Sequence, residues 1–144
     1  CDLPAGPVTR RQIFELLPFD NDVVAVTLSG AQVLAFVRRS VEAGRHTGLD
    51  FSGLTVFVER APAGTLRVAR LAVGGRALDP AAQYTVATNS FLAEGGDGAV
   101  ELQAGTSRRT DPALLREVME DVFAREKKQS MPADAKARWV EEVK

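Results

Sequence analysis

Apolar and polar positions alternate in short blocks along this chain, and each block predicts a short element. Ile13, Leu16 and Leu17 fall on one helical face behind Thr9-Arg10-Arg11-Gln12, a capping box in which Thr9 and Gln12 satisfy each other's backbone N–H. Pro18 stops that helix. The β-branched run Asp22-Val23-Val24-Ala25-Val26-Thr27-Leu28 predicts a strand. A second capping box, Ser29-Gly30-Ala31-Gln32, opens a helix with Val33, Leu34, Val37 and Val41 at helical spacing and Gly44 at its C′ position. Leu54-Thr55-Val56-Phe57-Val58 and residues 66–73 predict a hairpin turned by Ala61-Pro62-Ala63-Gly64. In its second strand, Leu66, Val68 and Ala72 keep a different phase from Leu71 and Val73. Either a bulge or burial on both faces accounts for that.

Gly74-Gly75 turns the chain into another strand, Tyr84-Thr85-Val86-Ala87-Thr88. A last helix is expected from Thr110-Asp111-Pro112, with Pro112 in its first turn and Leu114, Leu115, Val118, Met119, Val122 and Phe123 facing inward. Gln129-Ser130-Met131-Pro132 breaks it. A tail with Trp139 and Val140 then packs back on the domain or extends from it. Strands and helices are mixed without regular βαβ alternation, so the fold class is α+β. One compact domain is expected over residues 1–128, with a tail over 129–144.

Composition narrows the functional classes. The 144 residues are 45% hydrophobic and 26% charged, ordinary for a globular chain able to bury a core. A net charge of −1 supplies no field for nucleic acid or an anionic membrane. The basic pairs Arg10-Arg11, Arg38-Arg39, Arg108-Arg109 and Lys127-Lys128 are interleaved with acids and read as solvated faces. No apolar run reaches the roughly 18 residues of a membrane span. Cys1 stands alone, so no internal disulfide can form, and it reads as the edge of a longer polypeptide. The one histidine, His46, cannot supply the several ligands of a two-metal hydrolytic site and reads as a loop residue. Neither a Ser-His-Asp nor a Cys-His arrangement is supported around it. No cofactor is expected in this chain.

Two segments stand apart from this pattern: Leu17-Pro18-Phe19-Asp20-Asn21 and Asn89-Ser90-Phe91-Leu92-Ala93-Glu94-Gly95-Gly96-Asp97-Gly98. Each sets a phenylalanine among turn-forming residues. The two rings are either a clamp for a flat ligand or core residues at loop edges. The Gly95-Gly96-Asp97-Gly98 run lacks the Lys-Ser/Thr and glycine spacing of a phosphate loop. It is either a tight turn or a platform that offers the Asp97 carboxylate to hydroxyl groups.

These segments, with Asp2-Leu3-Pro4-Ala5-Gly6-Pro7-Val8-Thr9, Leu28-Ser29-Gly30-Ala31-Gln32-Val33 and Tyr84-Thr85-Val86-Ala87-Thr88, resemble the C-terminal domain of the 5′-nucleotidase and UDP-sugar hydrolase family over most of the chain. The resemblance implies a layered α/β/β/α-like sandwich that binds the nucleoside part of a substrate. It implies that Phe19 and Phe91 sandwich the base, that Asn21 and Gly48 lie near it, and that Asp97 takes the ribose hydroxyls. It further implies an N-terminal calcineurin-like domain of the same polypeptide that holds two divalent metal ions. The setting it implies is periplasmic, secreted or cell-surface, and the fragment alone is expected to be inactive. The family's Gly-Gly-x-Arg segment would lie just before Cys1, Ala99 stands where an aromatic is frequent, and Asp20 stands where Gly is frequent. A stand-alone nucleoside-binding or scaffold module, or a domain of a related hydrolase with a non-nucleotide substrate, are the alternatives.

Overall fold

The first helix, α1 (Arg10–Leu16), begins with the expected reciprocal cap: Gln12 N–H donates to Thr9 Oγ1 at 3.3 Å and Thr9 N–H to Gln12 Oε1 at 2.8 Å. It buries Ile13, and Leu17 N–H closes it on the Ile13 carbonyl. The computed structural model describes residues 6–42, 51–62, 64–126 and 139–141. Cys1, Gly44, His46, Gly48 and residues 127–138 lie outside them.

Strand β1 (Asp22–Ser29) runs directly into α2 (Gly30–Glu42) through the second capping box, in which Ser29 N–H donates to Gln32 Oε1 at 2.8 Å. The junction is tight. A Cβ on Gly30 would sit 2.1 Å from the backbone oxygen of Asp79, so only glycine lets the helix start dock on residues 79–82. There Gly30 N–H bonds the Ala82 carbonyl and Ala31 N–H the Pro80 carbonyl, both at 2.9 Å.

Strands β2 (Leu54–Arg60) and β3 (Leu66–Val73) form the expected hairpin. Its broken alternation is a bulge. Phe57 pairs with Arg70 but Val58 with Val68, which leaves Ala69 unpaired and turns both Val68 and Leu71 inward. Two-residue β4 (Arg76–Ala77) extends this sheet after Gly74-Gly75, and β5 (Gln83–Asn89) begins the return. Short helices α3 (Ser90–Ala93) and α4 (Val100–Gln103) follow, separated by a 3-10 turn at Gly96–Gly98.

The next segment departs from the sequence expectation. Residues around Thr110-Asp111-Pro112 belong to strand β6 (Thr106–Leu114), and helix α5 (Leu115–Arg125) starts only beyond it. Pro112 therefore lies in a strand rather than in a first helical turn. β6 is an edge strand, and Leu114 pairs with Asp22 while Asp111 pairs with Val23, so Pro112 and Ala113 bulge out where no ladder N–H is required. Ala113 N–H is met instead by Asp111 Oδ1 at 2.9 Å. The expected inward face of the helix is also revised. Leu114 precedes α5, Val118 and Val122 are each 39% exposed, and the helix buries none of its residues fully.

Two sheets result, β5-β1-β6 and β4-β3-β2-β7, the last strand being β7 (Trp139–Glu141), parallel to β2. Helix α2 packs against both β1 and β3 and joins the sheets into one core. That core contains Val24, Val26 and Leu28 of β1, Val33, Val37 and Val41 of α2, and Val56, Val58, Val68 and Leu71 of the hairpin. Full burial of each aliphatic side chain contributes about 1.5–3 kcal/mol. The class is α+β, two sheets flanked by helices.

Candidate functional site

Strands β1 and β5 pair antiparallel, with Val23 opposite Asn89. The residues just before β1 and those just after β5 therefore share one end of the sheet. This register brings Phe19 and Phe91 to the same end across about seventy residues of sequence. Ser90 joins the two segments. Its Oγ accepts from Asp22 N–H at 3.1 Å and donates to Asn21 Oδ1 at 3.4 Å.

Both rings face outward: Phe19 is 74% exposed and Phe91 48%. Core packing at a loop edge does not describe them. Among the described residues, neither ring is stacked on another aromatic ring. Phe91 instead lies over Gly96, where a Cβ would approach its ring atoms to 2.6 Å. Gly96 is the floor on which that ring rests.

The loop carrying Asp97 is built by local bonds. Asn89 caps α3 by accepting from Leu92 N–H at 2.8 Å, and Gly98 and Ala99 bond back to the Gly95 and Gly96 carbonyls at 3.1 Å. Asp97 takes a left-handed conformation, φ 52 and ψ 23, uncommon for a residue with a side chain. It is exposed, and its carboxylate has no hydrogen bond or ion pair among the described residues. From the far side, Arg108 of β6 donates to the Ala93 carbonyl and to Glu94, both at 3.4 Å.

Asn21 is half-buried. Its Oδ1 faces Ser90, and its carbonyl accepts the Leu115 N–H at 2.8 Å. Gly48 lies outside the described residues. Four contributors carried no signal of their own in the sequence: Ser90 as the bridge, Gly96 as the ring floor, Arg108 as a support from β6, and Arg116 of α5, which donates to the Phe19 carbonyl at 3.5 Å. Of these, only Ser90 and Gly96 sat inside a segment already singled out.

An apolar hollow lies elsewhere in the fold. About 560 Å³ lies between the β1–β5 face and α2, lined by Leu28, Val33, Phe36, Tyr84, Val86 and Leu92 among others. Phe19, Phe91 and Asp97 are not in its wall. The sheet end offers two exposed rings and, in the loop after β5, a carboxylate with no partner among the described residues. Among the described residues no three His, Cys, Asp or Glu side chains are grouped to hold a metal ion.

With this geometry in view, comparison with known proteins places the chain. The family described as 5′-nucleotidase, C-terminal domain, matches residues 1–104, and the chain belongs to that family. It is 29% identical over 136 residues to the protein UshA of Salmonella pullorum, covering 94% of this chain and 23% of that protein. It is 28% identical over 122 residues to an apyrase of Aedes aegypti, covering 76% of this chain and 22% of that protein. The crystal structure of a 5′-nucleotidase precursor from Thermus thermophilus superposes with a TM-score of 0.83 at 30% identity, over 96% of this chain and 29% of that one. The chain thus spans less than a third of the length of each relative.

Proposed function

We propose that this chain is the nucleoside-recognition domain of a metal-dependent 5′-nucleotidase-like phosphohydrolase. Phe19 and Phe91 hold the base between them, Asn21 contacts its edge, and Asp97 accepts the ribose hydroxyls. Gly48 is assigned to the base side of the same site. The two divalent ions and the hydrolytic chemistry belong to an N-terminal calcineurin-like domain of the parent polypeptide, and the periplasmic, secreted or cell-surface setting belongs to the same reading.

One observation carries it: the β1–β5 register sets two outward-facing rings at one end of one sheet, and Asp97, whose carboxylate has no partner among the described residues, lies in the loop that follows. Stacking suits a base because any base offers a π-face, and each stacked ring contributes about 1–3 kcal/mol. A free carboxylate suits a vicinal diol because it accepts from two hydroxyls at once. The matched family and the relatives named as nucleotidase and apyrase support a nucleotide as the substrate class.

The test is a titration of the isotope-labelled chain with adenosine, read by amide shifts. Saturable shifts are expected in residues 18–21 and 90–98. Phe19→Ala and Phe91→Ala should each weaken binding by about tenfold, the lower-middle of the stacking range. Equal affinity in the wild type and both variants would remove the clamp.

A further inference from the structure

Asp20 is one of the positions where this chain departs from the family pattern it resembles, and the fold gives that departure a partner. Asp20 is ion-paired with Arg116, the second residue of α5. The same guanidinium donates to the Phe19 carbonyl at 3.5 Å and lies over the Phe14 ring of α1, its Cζ 5.4 Å from the ring centre. Next to it, Leu115 N–H donates to the Asn21 carbonyl at 2.8 Å. The first two residues of α5 therefore hold three consecutive residues of the loop, 19 to 21. The side chain of Arg116 is only 18% exposed, although Asp20 is 74% exposed and the Phe19 ring stands in solvent. The anchor is shielded and the presented ring is free.

We propose that Arg116 is the positioning residue of the Phe19 side of the site. It fixes the backbone of residues 19 and 20 against α1 and α5, so that the Phe19 ring is presented in one place without being packed. This rests on the clamp reading given above, and it adds a residue beyond the matched positions 1–104. The chemistry favours arginine over lysine. A planar fork of donors can serve a carboxylate and a carbonyl while its face lies on a ring, whereas an ammonium is a single point charge. An exposed ion pair alone contributes little, so the shared engagement of carbonyl, carboxylate and ring is what sets the loop.

The experiment uses the whole 144-residue chain and two readouts. In Arg116→Gln, backbone order parameters at Phe19 and Asp20 should fall from about 0.85 towards 0.6, while those of Val24 and Val26 in β1 stay unchanged. Adenosine affinity should fall about fivefold, the effect of an anchor worth no more than a good partly shielded ion pair. Arg116→Lys should recover only part of either change. The double variant with Asp20→Asn should be no worse than Arg116→Gln alone, because Arg116→Gln already removes the pair with Asp20. Unchanged order at residues 19 and 20 in Arg116→Gln overturns the proposal. So does a loss of order spread evenly through the core, which would make Arg116 a support of the fold at large. If Phe19→Ala leaves adenosine affinity unchanged, the clamp reading falls by itself, and the order parameters still decide whether Arg116 holds the loop.

Discussion

The loop that carries Phe19 is tied to elements distant in sequence, whereas the loop that carries Phe91 closes mainly on itself. Phe19, Asp20 and Asn21 are held by Arg116 and Leu115, almost a hundred residues away, and Asn21 also meets Ser90. Phe91 rests on Gly96, five residues on, between an Asn89 cap and the backbone bonds of residues 95–99. Local closure costs little chain entropy, because few residues lie between the partners. Long-range polar anchoring depends on the whole fold being present and on charges that salt can screen. One ring is thus set by sequence-local geometry, the other by tertiary contacts.

The largest expected effect separates geometry from chemistry in the second loop. Asp97→Gly should lower adenosine affinity by about tenfold to a hundredfold, the loss of charge-assisted hydrogen bonds. Stability should stay equal or rise by up to about 1 kcal/mol, because glycine accepts φ 52 without strain. Titration calorimetry and thermal unfolding on the same preparation check both halves, and a parallel loss of stability and binding would mean that Asp97 is structural. Next, Gly96→Ala should displace the Phe91 ring, since the new methyl would meet it at 2.6 Å. Affinity should drop by about 1–3 kcal/mol, the value of one stacked ring, with amide shifts confined to residues 90–98. Shifts reaching residues 18–21 would show that the two loops are not independent.

Removing the α3 cap is a milder test. Asn89→Ala should cost about 1 kcal/mol of stability in chemical denaturation, with the Phe19 loop unchanged. The smallest effect is expected from salt. Between about 0.1 M and about 1 M the screening length falls from roughly 10 Å to roughly 3 Å, so the exposed Asp20 end of its pair should loosen. Backbone order at Phe19 and Asp20 should fall slightly while that at residues 91–98 holds. Equal responses of the two loops would erase the difference between them.

Much of this molecule was legible along the chain, and particular residues show why. The two capping boxes, the β-branched run of β1 and the α2 stripe of Val33, Val37 and Val41 are local signals, decided by neighbours three or four residues apart, and each appears where expected. The two aromatic loops were visible as well, because turn residues beside a phenylalanine mark a ring outside any amphipathic pattern. Strand β6 was not legible. Its residues Thr106 to Pro112 are all exposed and carry no alternation, so it exists through backbone pairing with β1, while Thr110-Asp111-Pro112 imitates the start of a helix. The helix beyond it kept Val118 and Val122 outside for the same reason: nothing local tells an amphipathic face how much of it a neighbour will cover. The bulge at Ala69 has no local signature, and only pairing with β2 decides between a bulge and burial on both faces. Short-range hydrogen bonds and side-chain periodicity thus determined α1, β1, α2 and the local closure of the Phe91 loop. Register between β1 and β5, and the reach of Arg116 from α5 to residues 19 and 20, were decided only when distant segments met, because sheet pairing and ion pairing depend on distances in space that sequence spacing does not encode.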